Sequence, residues 1–266
     1  MKKILKKGIP RLLFKPEDEL ASPRPKSHKK TDSPSAVNAE YALYSYINKD
    51  GKFDYERYRK IQEEGNKNKL DHVWVLEKNI VFLSNYLKKH LGQVSFGICH
   101  GTRSGLEQKW FHKYLGAEVL GTEISETAAQ FPHTIQWDFH KIKPEWVEKA
   151  DFIYSNSFDH SYDPEKCLNA WMKCIRPGGL CIIEHTDAHH ASGTNQLDPF
   201  GAHLVQMPYL ITKWGKGRFG ARDILSAPVR KKEVRYTAFI VIQKFEDQLS
   251  RRSHAHKSKK STRMGP

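Results

Sequence analysis

Apolar residues in the centre of the chain fall into short runs that are separated by polar and glycine-rich segments. Runs of this length, bounded by turn residues, are typical of strands that are buried in a sheet. Five of them predict the strands 94–98, 119–123, 133–139, 151–157 and 180–185. Helices are predicted between strands over 103–115 and 164–175, and this alternation indicates an α/β fold with a parallel sheet.

The flanking segments extend this pattern. Apolar residues recur at steps of three and four between Val73 and Leu87, which predicts a helix over about 70–90. After the fifth strand, residues 187–220 have little regular pattern, and a connection of that length usually has a function. Residues 227–234 and 236–243 then predict a closing hairpin, which brings the sheet to seven strands.

The two ends of the chain differ from its centre in charge. The net charge of the chain is +14, and the first 30 and the last 23 residues alone contribute +7 and +5. Both ends are rich in Lys, Ser, Pro and His, and such segments bury too little apolar surface to offset the entropy of ordering. We therefore expect disordered basic tails over 1–37 and 246–266. The single folded domain is expected over 38–245, with an N-terminal helical lid at about 41–91.

The basic tails suit RNA or another polyanion as a partner, or they only keep the chain in solution. In Met1–Lys7 lysines interrupt the apolar residues, which argues against a secretion signal, and no run has the length of a membrane span. The four cysteines form no C-x-x-C pair, as expected of reduced thiols. The expected location is therefore cytoplasmic.

The first predicted strand ends in a glycine-rich turn. The turn 99–105 reads Cys-His-Gly-Thr-Arg-Ser-Gly, and Glu123 ends the next strand. Glycine lets a backbone turn sharply and approach a ligand closely. A carboxylate about twenty residues later suits the hydroxyls of a ribose. Because the glycines are not spaced as G-x-G-x-x-G, the pattern indicates a nucleotide other than NAD.

A second set of motifs follows the fourth strand. It comprises Phe158-Asp159-His160-Ser161-Tyr162-Asp163-Pro164, then Leu168, then Arg176-Pro177-Gly178-Gly179-Leu180. Together with the glycine-rich turn and Glu123, these motifs make residues 92–186 resemble the class I S-adenosylmethionine (SAM) dependent methyltransferases in order and spacing. The resemblance implies a doubly wound, seven-stranded, mostly parallel sheet with an antiparallel last strand, and SAM as the cofactor.

The resemblance also implies which residues contact SAM. Glycines border the methionine end, Glu123 binds the ribose, and Asp138 with an aromatic neighbour frames the adenine. The full expected set is Gly97, Cys99, His100, Gly101, Gly105, Glu123, Trp137, Asp138, Phe139 and Ser155. Before the first strand, Asn66, Lys67 or Trp74 is expected to contact SAM or the acceptor.

The acceptor is expected at the ends of the fourth and fifth strands. Asp159, His160 and His185 are the candidate catalytic residues, and His160 is a candidate base because an imidazole titrates near neutral pH. Residues 184–190, Glu-His-Thr-Asp-Ala-His-His, offer five potential ligands, so a divalent ion that orients the acceptor is an alternative. We expect no metal in the site.

These features predict a methyltransferase that acts on an oxygen of a small molecule or glycan intermediate. One alternative is an RNA methyltransferase whose basic tails hold phosphate. The other is a protein that binds SAM or nucleic acid without catalysis.

Overall fold

A computed structural model describes residues 36–37 and 40–246. At its centre the apolar runs of the sequence pair into one seven-stranded sheet. Its strands are β1 (Phe96–His100), β2 (Glu118–Glu123), β3 (Thr134–Gln136), β4 (Ala150–Ser155), β5 (Ile175–Thr186), β6 (Phe219–Ser226) and β7 (Thr237–Lys244). Their order across the sheet is β3-β2-β1-β4-β5-β7-β6.

The directions of the strands confirm the predicted fold class. Strands β1 to β5 are parallel, and β7 runs antiparallel between β5 and β6. The predicted position of the sixth strand, 227–234, is wrong, because the strand covers Phe219–Ser226. This strand lies at the edge of the sheet and alternates between inward and outward residues, including Arg222 and Asp223, so it has no continuous apolar run.

Five α-helices lie in the described residues and account for most of the remaining regular structure. They are α1 (Tyr55–Asn68), α2 (Glu77–Leu91), α3 (Leu106–Leu115), α4 (Pro164–Cys174) and α5 (Met207–Gly215). Successive residues of a strand point to opposite faces of the sheet. Ile98 accordingly packs in the core with α4 and α5, whereas Cys99 packs in the core with α2 and α3.

Helix α1 lies within the expected helical lid, but its position was not predicted because its inward face is polar. Asp54 caps it by accepting a hydrogen bond from the backbone N–H of Arg57 at 3.0 Å. Its buried residues are Tyr58, Gln62 and Asn66, one on each successive turn. A search for apolar periodicity does not detect such a helix. Because buried amides need polar partners, this face covers a polar region of the protein.

Helix α5 lies in the segment 187–220 and was also missed. Met207, Leu210, Ile211 and Trp214 are all buried, and their spacing of three, four and seven is helical. The rest of that segment contains two turns of 3₁₀ helix, Asp187–His189 and Ala191–Gly193, and the short strand Phe200–Gly201. This strand pairs with Ala42–Leu43, which in turn pairs with Ala36–Val37. Further 3₁₀ turns are Glu126–Gln130, Pro144–Trp146 and Phe158–His160.

The predicted disordered tails lie almost entirely outside the described residues. Among the described helices, none has the length and apolar character that crossing a membrane requires.

Asp151 ties together the starts of neighbouring strands. Its Oδ2 accepts hydrogen bonds from the backbone N–H groups of Ser95 and Phe96 at 2.7 and 2.9 Å, and its Oδ1 accepts one from Nε of Arg176 at 2.6 Å. Burial alone would raise the pKa of Asp151, but these hydrogen bonds hold it below the usual value of 3.8. The resulting stabilisation is present above pH 3.8 and is lost as the pH falls through the pKa of the folded state.

We expect Asp151→Ala to lower the free energy of unfolding by about 2–4 kcal/mol at neutral pH, because two backbone amides and a guanidinium lose a charged acceptor. Urea unfolding followed by circular dichroism measures this difference. Asp50→Ala, in an exposed turn, is the control. The difference should shrink as the pH falls below 3.8. A loss of less than about 0.5 kcal/mol would show that Asp151 does not brace the sheet.

Candidate active site

The order of the strands reverses between β1 and β4, which are neighbours in the sheet. In open α/β sheets, ligands bind outside the carboxyl ends of the strands at such a reversal. Two serines join the loops there: Ser155 Oγ donates to the carbonyl of His100 at 2.9 Å, and Ser157 Oγ donates to that of Gly101 at 3.1 Å. The loops after β1 and β4 therefore form the walls of one crevice.

Gly101 lies where the two loops are closest. Its φ is +72°, and a Cβ at this position would lie 2.6 Å from Cβ of Ser157. Only glycine meets both conditions without strain. The N–H groups of Gly101 and Thr102 donate to the carbonyl of Thr122 at 2.8 and 3.1 Å, which fixes the turn against β2.

Glu123 ends β2 beside this turn and is 6% exposed. One carboxylate oxygen accepts a hydrogen bond from the backbone N–H of Arg103 at 3.0 Å, and the other accepts one from that of Ser125 at 3.3 Å. Burial raises the pKa of Glu123, although the backbone hydrogen bonds oppose this shift. A carboxylate has about four acceptor sites, so Glu123 retains capacity for a further donor.

A first cleft separates α1 from the loops after β1, β2 and β3. The helix contributes Tyr58, Gln62 and Asn66, and the loop containing Leu197 closes one side. The sheet contributes the residues expected to contact the cofactor, together with the candidate base: Gly101, Glu123, Asp138, Phe139 and His160.

Asp138 is held firmly in this cleft. Its Oδ1 accepts hydrogen bonds from the backbone N–H and from Nδ1 of His140, and its Oδ2 accepts one from the hydroxyl of Tyr55 at 3.0 Å. Burial alone would raise the pKa of Asp138, but the interactions with His140 hold it below its usual range. The other ring nitrogen of His140 contacts Ser161 Oγ at 2.8 Å, so the histidine links the loop after β3 to the loop after β4.

A second cleft adjoins the first and shares His160, Ser157, Gly101, Arg103 and Lys69 with it. Its other lining side chains are mostly polar and include Trp74, Thr102, Glu107, Asn156, Asp159, His189 and Asp198. Burial raises the pKa of Glu107 to about 7, and its carboxylate accepts a hydrogen bond from Asn156 Nδ2 at 3.0 Å.

His160 lies at the junction of the two clefts, and Gln62 of α1 fixes its tautomer. The Nε2 group of Gln62 donates to the carbonyl of Leu197 at 3.0 Å, so the amide oxygen faces His160 Nδ1 at 2.7 Å. Nδ1 therefore carries the proton, and Nε2 presents a lone pair. Nε2 lies 3.7 Å from Oδ1 of Asp198.

The third candidate catalytic residue, His185, lines neither cleft. Its ring is held by the carbonyl of Ala202 and the hydroxyl of Tyr236, each at 3.0 Å, and burial lowers its pKa to about 3. In the predicted ligand cluster 184–190, Glu184 is likewise engaged, with Trp74 and Tyr154. Of the cluster's ligand-bearing residues, only His189 faces the second cleft.

Six residues of the expected cofactor set also lie outside both clefts: Gly97, Cys99, His100, Gly105, Trp137 and Ser155. Cys99 and His100 belong to β1 rather than to the turn, and both are buried; His100 stacks on Trp171 with ring centres 4.8 Å apart. Gly97 is also inside β1, where a Cβ would lie 2.2 Å from the Phe152 ring. Of the three residues expected before the first strand, Asn66 and Trp74 line clefts, whereas Lys67 pairs with Glu126 on the surface.

Sequence reasoning missed three polar residues of the site, Tyr58, Gln62 and Asp198. The first two belong to the unpredicted helix α1, and their spacing of one helical turn carried no apolar signal. Asp198 lies in the irregular connection after β5, where only folding brings it to His160.

Comparisons with known proteins agree with this architecture. The family described as a methyltransferase domain matches residues 98–183. No curated protein sequence matches the chain. A similar solved structure is the Burkholderia thailandensis 1,6-didemethyltoxoflavin-N1-methyltransferase with bound 1,6-didemethyltoxoflavin and S-adenosylhomocysteine. It is 15% identical, has a TM-score of 0.57, and the match covers 81% of this chain and 100% of that one.

Two further solved structures are similar at 12% identity. The plantazolicin methyltransferase BpumL, in complex with a desmethyl-plantazolicin analogue and S-adenosylhomocysteine, has a TM-score of 0.55, with 72% of this chain and 96% of that one covered. The N-methyltransferase NodS of Bradyrhizobium japonicum has a TM-score of 0.51, with 70% and 99% covered. At such identities the solved structures establish the fold.

The family match covers 86 of the 266 residues. It runs from β1 to β5 and includes the glycine-rich turn, Glu123 and the loop after β4. Residues 98–183 of this chain therefore match a methyltransferase domain, and the chain has the fold of class I methyltransferases.

Proposed function

We propose that this chain is a SAM-dependent methyltransferase. It transfers the methyl group of SAM to a hydroxyl oxygen of a small molecule or glycan intermediate bound in the second cleft. The observation that carries the proposal is the position of His160, which borders both clefts and has an Nε2 lone pair oriented through Gln62. An acceptor in the second cleft would therefore meet the cofactor beside this imidazole.

The residues of the first cleft fit the cofactor. The Glu123 carboxylate retains acceptor capacity for ribose hydroxyls, Asp138 and Phe139 frame the adenine, and Gly101 borders the methionine end. Bound SAM supplies the methyl group on a sulfonium, whose departure as a thioether needs no acid. The protein has to align the acceptor and to promote loss of its proton, and this loss depends on His160.

The charges of the second cleft favour a small acceptor over RNA. The acidic side chains of Glu107, Asp159 and Asp198 accompany the cations Lys69 and Arg103, so the cleft has no excess of cations even when Glu107 is protonated at its raised pKa. A surface that binds phosphates carries an excess of cations. The basic tails, which would support RNA binding, lie outside the described residues. The similar Burkholderia enzyme, which was crystallised with a small molecule, supports the same class of acceptor.

The acceptor class is tested with tritiated SAM and two acceptor pools, one of hydroxylated small molecules and oligosaccharides and one of total RNA. We expect label in the first pool, in alkali-stable ether linkage. Label confined to RNA would overturn the proposed acceptor class.

Glu123→Ala is expected to weaken binding of S-adenosylhomocysteine by about 10- to 100-fold, because the ribose hydroxyls lose a charged acceptor. Isothermal titration calorimetry measures the affinity. Glu118→Ala, at the exposed start of the same strand, is the matched control and should bind like the wild type. Equal affinities for both variants would remove Glu123 from the cofactor site.

His160→Ala is expected to lower turnover by roughly 10² to 10⁴ while the affinity for S-adenosylhomocysteine changes little, because the residue serves proton loss from the acceptor. Turnover is measured with the acceptor identified from the labelled pools. His90→Ala, at the end of α2 and outside both clefts, is the control. Undiminished turnover in His160→Ala would contradict a role of His160 in proton loss. The protein would then contribute only the alignment of the acceptor with the methyl group.

A further inference from the structure

Three potential metal ligands converge in the second cleft. Asp159, His160 and Asp198 each offer one ligand atom, and the three atoms lie within 4.8 Å of one another. Asp159 and His160 are adjacent in the loop after β4, whereas Asp198 comes from the connection after β5. The cluster therefore forms only in the folded chain, and it differs from the ligand cluster that the sequence predicts at 184–190.

One oxygen of this cluster is buried and unsatisfied. Asp159 is 8% exposed, and its Oδ1 has no hydrogen-bond partner among the described residues. Its other oxygen, Oδ2, lies 3.6 Å from Nε2 of His189. A buried carboxylate oxygen without a donor is costly, and a cation removes that cost. Asp159 also lines the second cleft, so a cation bound at this wall of the cleft would lie beside the carboxylate.

The neighbours of the cluster orient the other two ligand atoms. The amide oxygen of Gln62 accepts a hydrogen bond from Nδ1–H of His160, and a ligating histidine typically donates its second ring N–H to an oxygen in this way. Asn195 donates to Oδ2 of Asp198 at 3.0 Å, which leaves Oδ1 on the side of His160. The orienting hydrogen bonds thus come from two residues that are not ligands.

We infer that Asp159, His160 and Asp198 bind a divalent cation of the Mg²⁺ and Mn²⁺ class, and that the cation holds the acceptor through two neighbouring oxygens. Carboxylates are preferred ligands of these ions, and three protein ligands leave coordination positions open. Ligands in cis around such an ion are about 3 Å apart, so the separations within the cluster, which are 3.7 Å between His160 Nε2 and Asp198 Oδ1 and at most 4.8 Å, would contract on binding.

This inference rests on the proposed function and states how His160 serves proton loss. A cation lowers the pKa of a hydroxyl bound to it. The O–H bond of the acceptor breaks and its proton passes to water. The oxygen's electron pair then forms the bond to the methyl carbon, while the electrons of the carbon–sulfur bond remain on sulfur. The products are a neutral ether and a neutral thioether. Because the cation holds two neighbouring oxygens of the acceptor, a vicinal diol or a catechol-like pair of oxygens is expected.

The experiment is a Mn²⁺ titration of the full chain after removal of metal with EDTA, in which electron paramagnetic resonance measures free Mn²⁺. The wild type is expected to bind one Mn²⁺ per chain with a Kd on the order of 10⁻⁴ M. Asp198→Asn and His160→Gln should each weaken this site by about tenfold or more. Asp50→Asn, which removes an exposed carboxylate far from the cluster in sequence, should bind like the wild type. Circular dichroism checks that each variant is folded.

Calorimetry with S-adenosylhomocysteine on the same samples separates the two proposals. Cofactor binding without Mn²⁺ binding below about 1 mM would overturn the cation site and leave the methyltransferase reaction intact. Equal Mn²⁺ affinity in wild type and Asp198→Asn would also overturn it. Loss of methyl transfer on chelation, with recovery on addition of Mg²⁺, would support it.

Discussion

The close approach of the loops after β1 and β4 at Gly101 is the contact on which both clefts depend. The Ser157 side chain lies 2.6 Å from where a Cβ of residue 101 would be, and its hydroxyl donates to the Gly101 carbonyl. This contact follows from the strand order, since parallel neighbours bring their carboxyl ends to one edge of the sheet. Glu123, His160 and the two clefts are arranged around it.

Helix α1 converts this edge into an enclosed site. Its polar face meets the sheet through side-chain and backbone hydrogen bonds: the Tyr58 hydroxyl donates to the carbonyl of His160 at 3.0 Å, and Gln62 contacts the imidazole. The same helix contacts the 3₁₀ turn after β2 through Asn66, whose amide oxygen accepts a hydrogen bond from Thr127 Oγ1 at 2.7 Å. Helix α1 therefore lines the first cleft and also contacts His160, which borders both clefts.

The sequence was sufficient for the five parallel strands because strands buried on both faces are rich in apolar residues, as in β4, where all six residues are buried. The sequence also predicted that Gly101 and Glu123 lie close together, because their spacing is that of one strand, one helix and the next strand. It could not place α1, whose inward residues are amides and a tyrosine. Helix α5 is a different case, since the apolar residues from Met207 to Trp214 do have helical spacing. It was missed because the surrounding segment is rich in glycine and proline.

The direction of individual side chains was the second feature that the sequence did not predict. Cys99 and His100 follow the apolar run, yet hydrogen bonds to strands on both sides keep them in β1, and their side chains enter the two cores. Asp198, in contrast, was not expected in the site but lies there. It belongs to no motif, and a long irregular connection brings it to His160. Such contacts depend on tertiary packing, which a single sequence does not specify.

The central claim is that the first cleft holds the cofactor and that the second, meeting it at His160, holds the acceptor. A crystal structure with S-adenosylhomocysteine tests it most directly. The account predicts ribose hydroxyls within about 3.2 Å of the Glu123 carboxylate and the thioether sulfur directed toward His160 and the second cleft. Adenosine bound away from Glu123, or a sulfur that faces away from His160, would contradict it.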